Sequence, residues 1–136
     1  MNILNRIGMI VLIMFLSNCV NDLTLSGIEK FIDTPLPSRA TNVHFHSELG
    51  IDRIVLLRFD LPKDDVPVFL SSLGITSFMS YSTLHDSPHI EWWQPEQAEQ
   101  IGSYQAAYHR INSKGVHILI AELSDDMVVV YLEVGG

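Results

Sequence analysis

Residues 116–134, VHILIAELSDDMVVVYLEV, decide the fold. Two apolar runs, 116–123 and 127–134, flank a break of three polar residues, Ser124, Asp125 and Asp126. Branched side chains dominate both runs, and so short a connection joins antiparallel neighbours, whereas a parallel crossover needs a dozen residues or more. Both therefore read as sequential strands at the centre of a sheet, apolar enough to be covered by a helix. Just upstream, SYQAAYHRI (103–111) and the turn signal NSKG (112–115) add a third strand of the same meander.

Further toward the N-terminus the helical period takes over. In KDDVPVFLSSLG (63–74), Val66, Phe69, Leu70 and Leu73 fall at i, i+3, i+4 and i+7, the stripe of a helix laid on a sheet. Asp64 or Asp65 is placed to cap it, Pro67 suits its first turn, and Gly74 suits its end. RIVLLRFDLP (53–62) places Val55, Leu57 and Phe59 on one face of a strand and Ile54 and Leu56 on the other. TNVHFHSE (41–48) alternates, with Val43 and Phe45 one way and Asn42, His44, His46 and Glu48 the other, which is a half-buried strand. LGID (49–52) turns between these two. Residues 75–101 scatter Ser, Thr, His, Asp and Pro, and read as irregular in part. The expectation is an α+β domain over residues 41–136, an antiparallel sheet of about five strands with one packed helix in the order β-β-α-β-β-β. Residues 19–40, NDLTLSGIEKFIDTPLPSRA from Asn21 onward, place Leu25, Ile28 and Ile32 at the spacing of a short amphipathic turn. Pro35 and Pro37 favour reading the segment as a linker.

The first 18 residues differ from everything after them. Arg6 precedes ten apolar residues, 7–16, too few for a bilayer span of about 18 or more and right for the apolar core of a secretory signal peptide. Leu16-Ser17-Asn18-Cys19 then resembles the lipobox of bacterial lipoproteins, with Asn18 where Gly, Ala or Ser is usual. The resemblance implies cleavage before Cys19 and acylation of its sulfur by chains such as palmitate. Two or more such chains hold a protein on a membrane. Val20, where Asp is the inner-membrane retention signal of enteric lipoproteins, implies the outer membrane, facing the periplasm or the cell surface. Residues 37–62, PSRATNVHFHSELGIDRIVLLRFDLP, are also similar to small bacterial lipoproteins to which no activity is attached.

Composition narrows the chemistry. Cleavage would leave 118 residues, with seven Lys and Arg against 16 Asp and Glu, a formal charge of −9. That balance argues against nucleic acid as a partner and against a polybasic membrane contact. Acylated Cys19, the single cysteine, leaves no thiol for a disulfide, a cysteine nucleophile or a cysteine-bound metal. No H-E-x-x-H, G-x-S-x-G or P-loop pattern occurs.

Four groups of residues carry candidate chemistry. His44 and His46 have the His-X-His spacing that lets two imidazoles share a metal ion, with Glu48, His109 or His117 as a third ligand. As a bland alternative they are polar surface. HDSPHIE (85–91) gathers His85, Asp86, His89 and Glu91 in a loop, a setting for acid-base work or simply a solvated turn. Trp92 and Trp93 are adjacent, so an extended chain sends one into the core and the other away, toward a partner or over the sheet. Glu122, Asp125, Asp126 and Glu133 bracket the last hairpin, either solvating it or forming a patch for a basic partner. The leading expectation is a lipid-anchored, non-enzymatic binding module that needs no cofactor and engages another envelope protein, for instance as an inhibitor or immunity protein. The alternatives are a metal-binding envelope domain using the His pair, or a small periplasmic hydrolase.

Overall fold

The computed structural model describes residues 24–49, 51–82, 84–85, 87, 89–101 and 104–136, so the expected signal peptide and Cys19 lie outside the described residues. The chain forms an α+β domain built on one five-stranded antiparallel sheet. Its strands are β1 (Thr41–Leu49), β2 (Arg53–Pro62), β3 (Tyr104–Ile111), β4 (Lys114–Glu122) and β5 (Met127–Gly135), side by side in the order β1-β2-β5-β4-β3. β5 is thus central, in register with β2 through Leu57 opposite Leu132 and with β4 through Ile118 opposite Leu132. The hairpin between β3 and β4 is tighter than the four residues NSKG suggested. Only Asn112 and Ser113 lie between the strands, and Asn112 takes φ 49°, a left-handed conformation that Asn adopts more readily than most residues.

Both faces of the sheet are buried, because β2, β4 and β5 are apolar on both sides. On one face Val55, Leu57, Phe59, Val130, Leu132 and Ile118 pack beneath α1 (Leu25–Ile32) and α2 (Val66–Ser72). Phe69 of α2 meets the Phe59 ring edge-on at 5.4 Å. The helix expected over 63–74 is present as a 3-10 turn, Lys63–Asp65, running into α2. Asp65 does not cap it by a side-chain hydrogen bond; its carboxylate holds Arg39 at 2.8 and 2.9 Å instead. That hydrogen bond moves the Asp65 pKa down and the Arg39 pKa up.

On the other face Leu56, Leu119, Val129 and Tyr131 are covered by Ile90 and Trp93, which come from the stretch between α2 and α3 (Pro95–Ile101). Among the described residues the segment is irregular up to Gln94, apart from an isolated bridge of Met79 with Ala106, yet it forms a second covering layer and ends in a short helix. Pro95 opens α3 and Glu96 lies in its first turn, both favourable at a helix N-terminus.

The segment expected to be a linker also differs. Thr24 caps α1 by accepting from the Gly27 N–H at 3.1 Å, and Asp33 ends it in a left-handed conformation, φ 56°. Ile28 and Ile32, at 0% and 2% exposure, enter the core. Lys114 closes the C-terminal end, its Nζ donating to the Phe31 carbonyl while lying over the Phe31 ring. The prolines follow the helix rather than interrupting it. Burial of an isoleucine side chain contributes roughly 1.5–3 kcal/mol, so the two buried residues join the cap and the Lys114 contact in holding the segment on the sheet.

Candidate functional site

Cross-strand partners in an antiparallel sheet share a face, and the register lines up a polar row on the second face. His46, Leu56, Glu133, His117 and Tyr108 are successive partners across β1, β2, β5, β4 and β3. The next row is His44, Arg58, Tyr131, Leu119 and Ala106. His85 and His89 arrive over these rows from the covering segment. Of the six histidines only His109 lies on the opposite face, beside Gly74.

Two clusters result. In the first, Glu133 is buried at 5% exposure in the middle of the sheet, although its place in the sequence suggested an acid solvating the last hairpin. It faces the same side as Tyr131 and Val129, at alternate positions of β5, and is therefore carried under the covering segment. Its oxygens accept the His85 backbone N–H at 3.0 Å and the His85 Nδ1–H at 2.5 Å. A carboxylate only accepts, which assigns the proton to Nδ1 and leaves Nε2 outward on a side chain that is 77% exposed. The His85 and His117 rings meet edge-on at 6.1 Å, and Tyr108 tilts over His117 at 4.7 Å. Gly115 makes room for this stack, since a Cβ there would come within 3.3 Å of the Tyr108 ring. Burial pushes the His117 pKa below its ordinary value; Glu133 opposes this and His85 adds to it.

In the second cluster, His46 and Glu48 of β1 meet His89. His46 Nε2 and His89 Nε2 both point at Glu48 Oε1, at 3.2 and 3.3 Å. Their potential ligand atoms lie within 4.8 Å of one another. His44, expected to pair with His46, does not join them. Its Nε2 lies 3.0 Å from Asn42 Oδ1 and its ring stacks on Trp92 at 5.5 Å and 22°. The other suggested ligands, His109 and His117, belong to the opposite face and to the Glu133 cluster. Sequence reasoning included His89 only as a loop residue; its approach to β1 spans 41 positions and leaves no periodic signal.

The tryptophans divide as expected, but across a turn and not an extended chain, the Trp93 N–H donating to the Ile90 carbonyl at 3.1 Å. Trp93 is buried against Tyr131, edge-on at 5.4 Å, and donates its Nε1–H to the His85 carbonyl at 2.9 Å. Trp92 is half-buried, lying on His44. Acid-base chemistry in the 85–91 loop has little enclosure. The cavity beside it, about 330 Å³, is lined by Ser87, Ile90, Glu91, Trp93 and the start of α3, and by neither His85 nor His89. A larger cavity of about 440 Å³ lies at the far end of the sheet, between Pro67, Tyr104 and Val128. Asp86 lies outside the described residues. Among the described residues no helix is long and apolar enough to cross a membrane. Comparison with protein families, with curated proteins and with solved structures finds no match for this chain.

Proposed function

We propose that the chain is a lipoprotein of the cell envelope, acylated at Cys19 and favoured for the outer membrane, that acts as a non-enzymatic binding module for another envelope protein. The observation that carries the reading is the start of the fold. α1 begins at Leu25, is capped by Thr24 and is packed into the core, so five residues, 20–24, separate the helix from Cys19. Five residues reach at most about 18 Å, which would hold the body within a short step of the bilayer surface. Acyl chains then act as an anchor and raise the effective concentration of the domain for partners on the same membrane.

The covering segment suits the contact. It exposes Phe78 and Tyr81 and leaves Trp92 half-covered, on a sheet that is rigidly packed beneath. Aromatic side chains of this kind anchor protein interfaces, and an acidic chain favours a partner with a basic surface, an inhibitor or immunity protein for a basic enzyme being the concrete form. Intact-mass analysis of the membrane fraction is the test of anchoring. The expected mass corresponds to residues 19–136 plus acyl chains, and Cys19→Ser releases the protein from the membrane. An unmodified sulfur with the first 18 residues still attached would overturn the anchoring. For the binding role, crosslinking of the lipidated protein in cells should capture one stoichiometric envelope partner, and Trp92→Ala should lose it while membrane attachment persists.

A further inference from the structure

We infer that His46, Glu48 and His89 form a three-ligand site for a divalent transition ion of the zinc type, which pins the covering segment onto strand β1. The site is independent of lipid attachment and of any protein partner.

The argument is one of edge lengths and donor chemistry. Zinc binds imidazole nitrogen and carboxylate oxygen at about 2.0–2.2 Å in a tetrahedron, whose edges are then roughly 3.4 Å. Two of the three edges, His46 Nε2 to Glu48 Oε1 and His89 Nε2 to Glu48 Oε1, measure 3.2 and 3.3 Å, and the third lies within 4.8 Å. Closing the third asks for a movement of no more than the difference between 4.8 Å and about 3.4 Å. The same distances are long for charge-assisted hydrogen bonds, which run about 2.7–2.9 Å, so neither imidazole is drawn fully onto the carboxylate. Two neutral imidazoles and one carboxylate leave a fourth position for water, a set that suits zinc or copper and not the oxygen-seeking calcium and magnesium.

The backbone fixes the donors unequally. His46 and Glu48 are two apart on β1 and so share a face, held by the pairing of His46 with Leu56 and of Glu48 with Ile54. His89 comes from the segment that also carries Ile90 and Trp93 into the second core. An ion bridging the two would therefore tie the edge of the sheet to its cover, one residue from Ile90 and three from Trp92. Metal occupancy would set how firmly the exposed aromatic residues of the segment are held.

The test uses the full chain, solubilised in detergent, carrying no histidine tag and stripped with a chelator. Zinc titrated by calorimetry should bind at one ion per chain, and calcium or magnesium in excess should not compete. His46→Ala and His89→Ala should each weaken zinc by roughly 100-fold or more, since even partners one shell further out cost about 10–100-fold. Glu48→Gln, which keeps the shape and removes the charge, should weaken it as well. His44→Ala and His109→Ala should leave it unchanged. Tryptophan emission and circular dichroism identify any variant that fails to fold. In that event His89→Gln, on the exposed segment, replaces it. Absence of saturable zinc binding overturns the inference, as does binding that survives His89→Ala or that is lost in His44→Ala or His85→Ala instead.

Discussion

Replacing Ile28 by alanine tests whether the segment just past Cys19 belongs to the folded body. The side chain is fully buried, in the same cluster as Leu57, Phe59 and Leu132, beneath the central strands. Removing three carbons there forfeits transfer free energy and leaves a void that α1, tied at both ends by Thr24 and Lys114, collapses into only partly. Isoleucine-to-alanine changes at such sites cost about 2–5 kcal/mol, and a middle value of about 3 kcal/mol applies here. Against a total stability of roughly 5–15 kcal/mol that is a large fraction. For a domain of this size it lowers Tm by roughly 10–15 °C. Ser26→Ala, on the exposed side of the same helix, should change stability by no more than about 0.5 kcal/mol. Urea unfolding of the two variants and the wild type, in one detergent and followed by tryptophan emission, gives the comparison. Similar urea dependence in all three validates the difference in midpoints. Should Ile28→Ala cost no more than Ser26→Ala, α1 is not part of the core. The lipid anchor proposed at Cys19 would then stand off from the body by a long tether.

Three further outcomes are expected. Glu133→Gln replaces a buried carboxylate that holds His85 twice; hydrogen bonds to charged groups contribute about 1.5–3 kcal/mol each, so a loss of that order should appear in urea unfolding, with the His85 ring signals shifted in NMR. Gly74→Ala meets both a φ of 73° and a contact of 3.0 Å to His109 Nε2, and should destabilise by about 1 kcal/mol or more, whereas Ser71→Ala, at an exposed position of the preceding helix, should not. His117 has a pKa lowered in the folded state by burial, with Glu133 and His85 as the charged neighbours and Tyr108 stacked on it. Below about pH 6.5 the unfolded imidazole takes up a proton that the folded one resists, so its contribution to stability is present above that pH and is lost as pH falls through the lowered folded value. His117→Gln should flatten the fall in unfolding midpoint between pH 7 and 5, and an unchanged slope would remove His117 as its source.

The strands were legible because their chemistry is periodic. β1 alternates and β2 is apolar on both faces, and the break at 124–126 is short enough to leave only a hairpin. The same doubly apolar character of β2, β4 and β5 signals two covering layers, yet Ile90 and Trp93 sit in a stretch with no period to show that it folds back. α1 carried a true signal, Leu25, Ile28 and Ile32 behind a threonine cap, outweighed by Pro35 and Pro37, which lie beyond its end. α3 likewise opened with Pro95 and Glu96. Of the candidate metal ligands, His46 and Glu48 are visible as a strand face. His89 is not, because a contact across 41 positions depends on where the covering segment comes to rest. The burial of Glu133 is hidden in the sequence by its charge, and only its place in the alternation of β5, on the side of Val129 and Tyr131, points to it.

The central position of β5 carries a consequence for how the chain is made. It follows every other strand in the sequence, yet both β2 and β4 depend on it for a neighbour. A ribosome or a translocation pore delivering the chain from its N-terminus releases two separate hairpin edges, with their backbone amides unpaired, until residues 127–135 emerge. Vectorial folding is thereby deferred until residues 127–135 have been delivered, and a nascent chain stalled before Met127 would present two sticky half-sheets to holdases and proteases rather than a smaller stable protein.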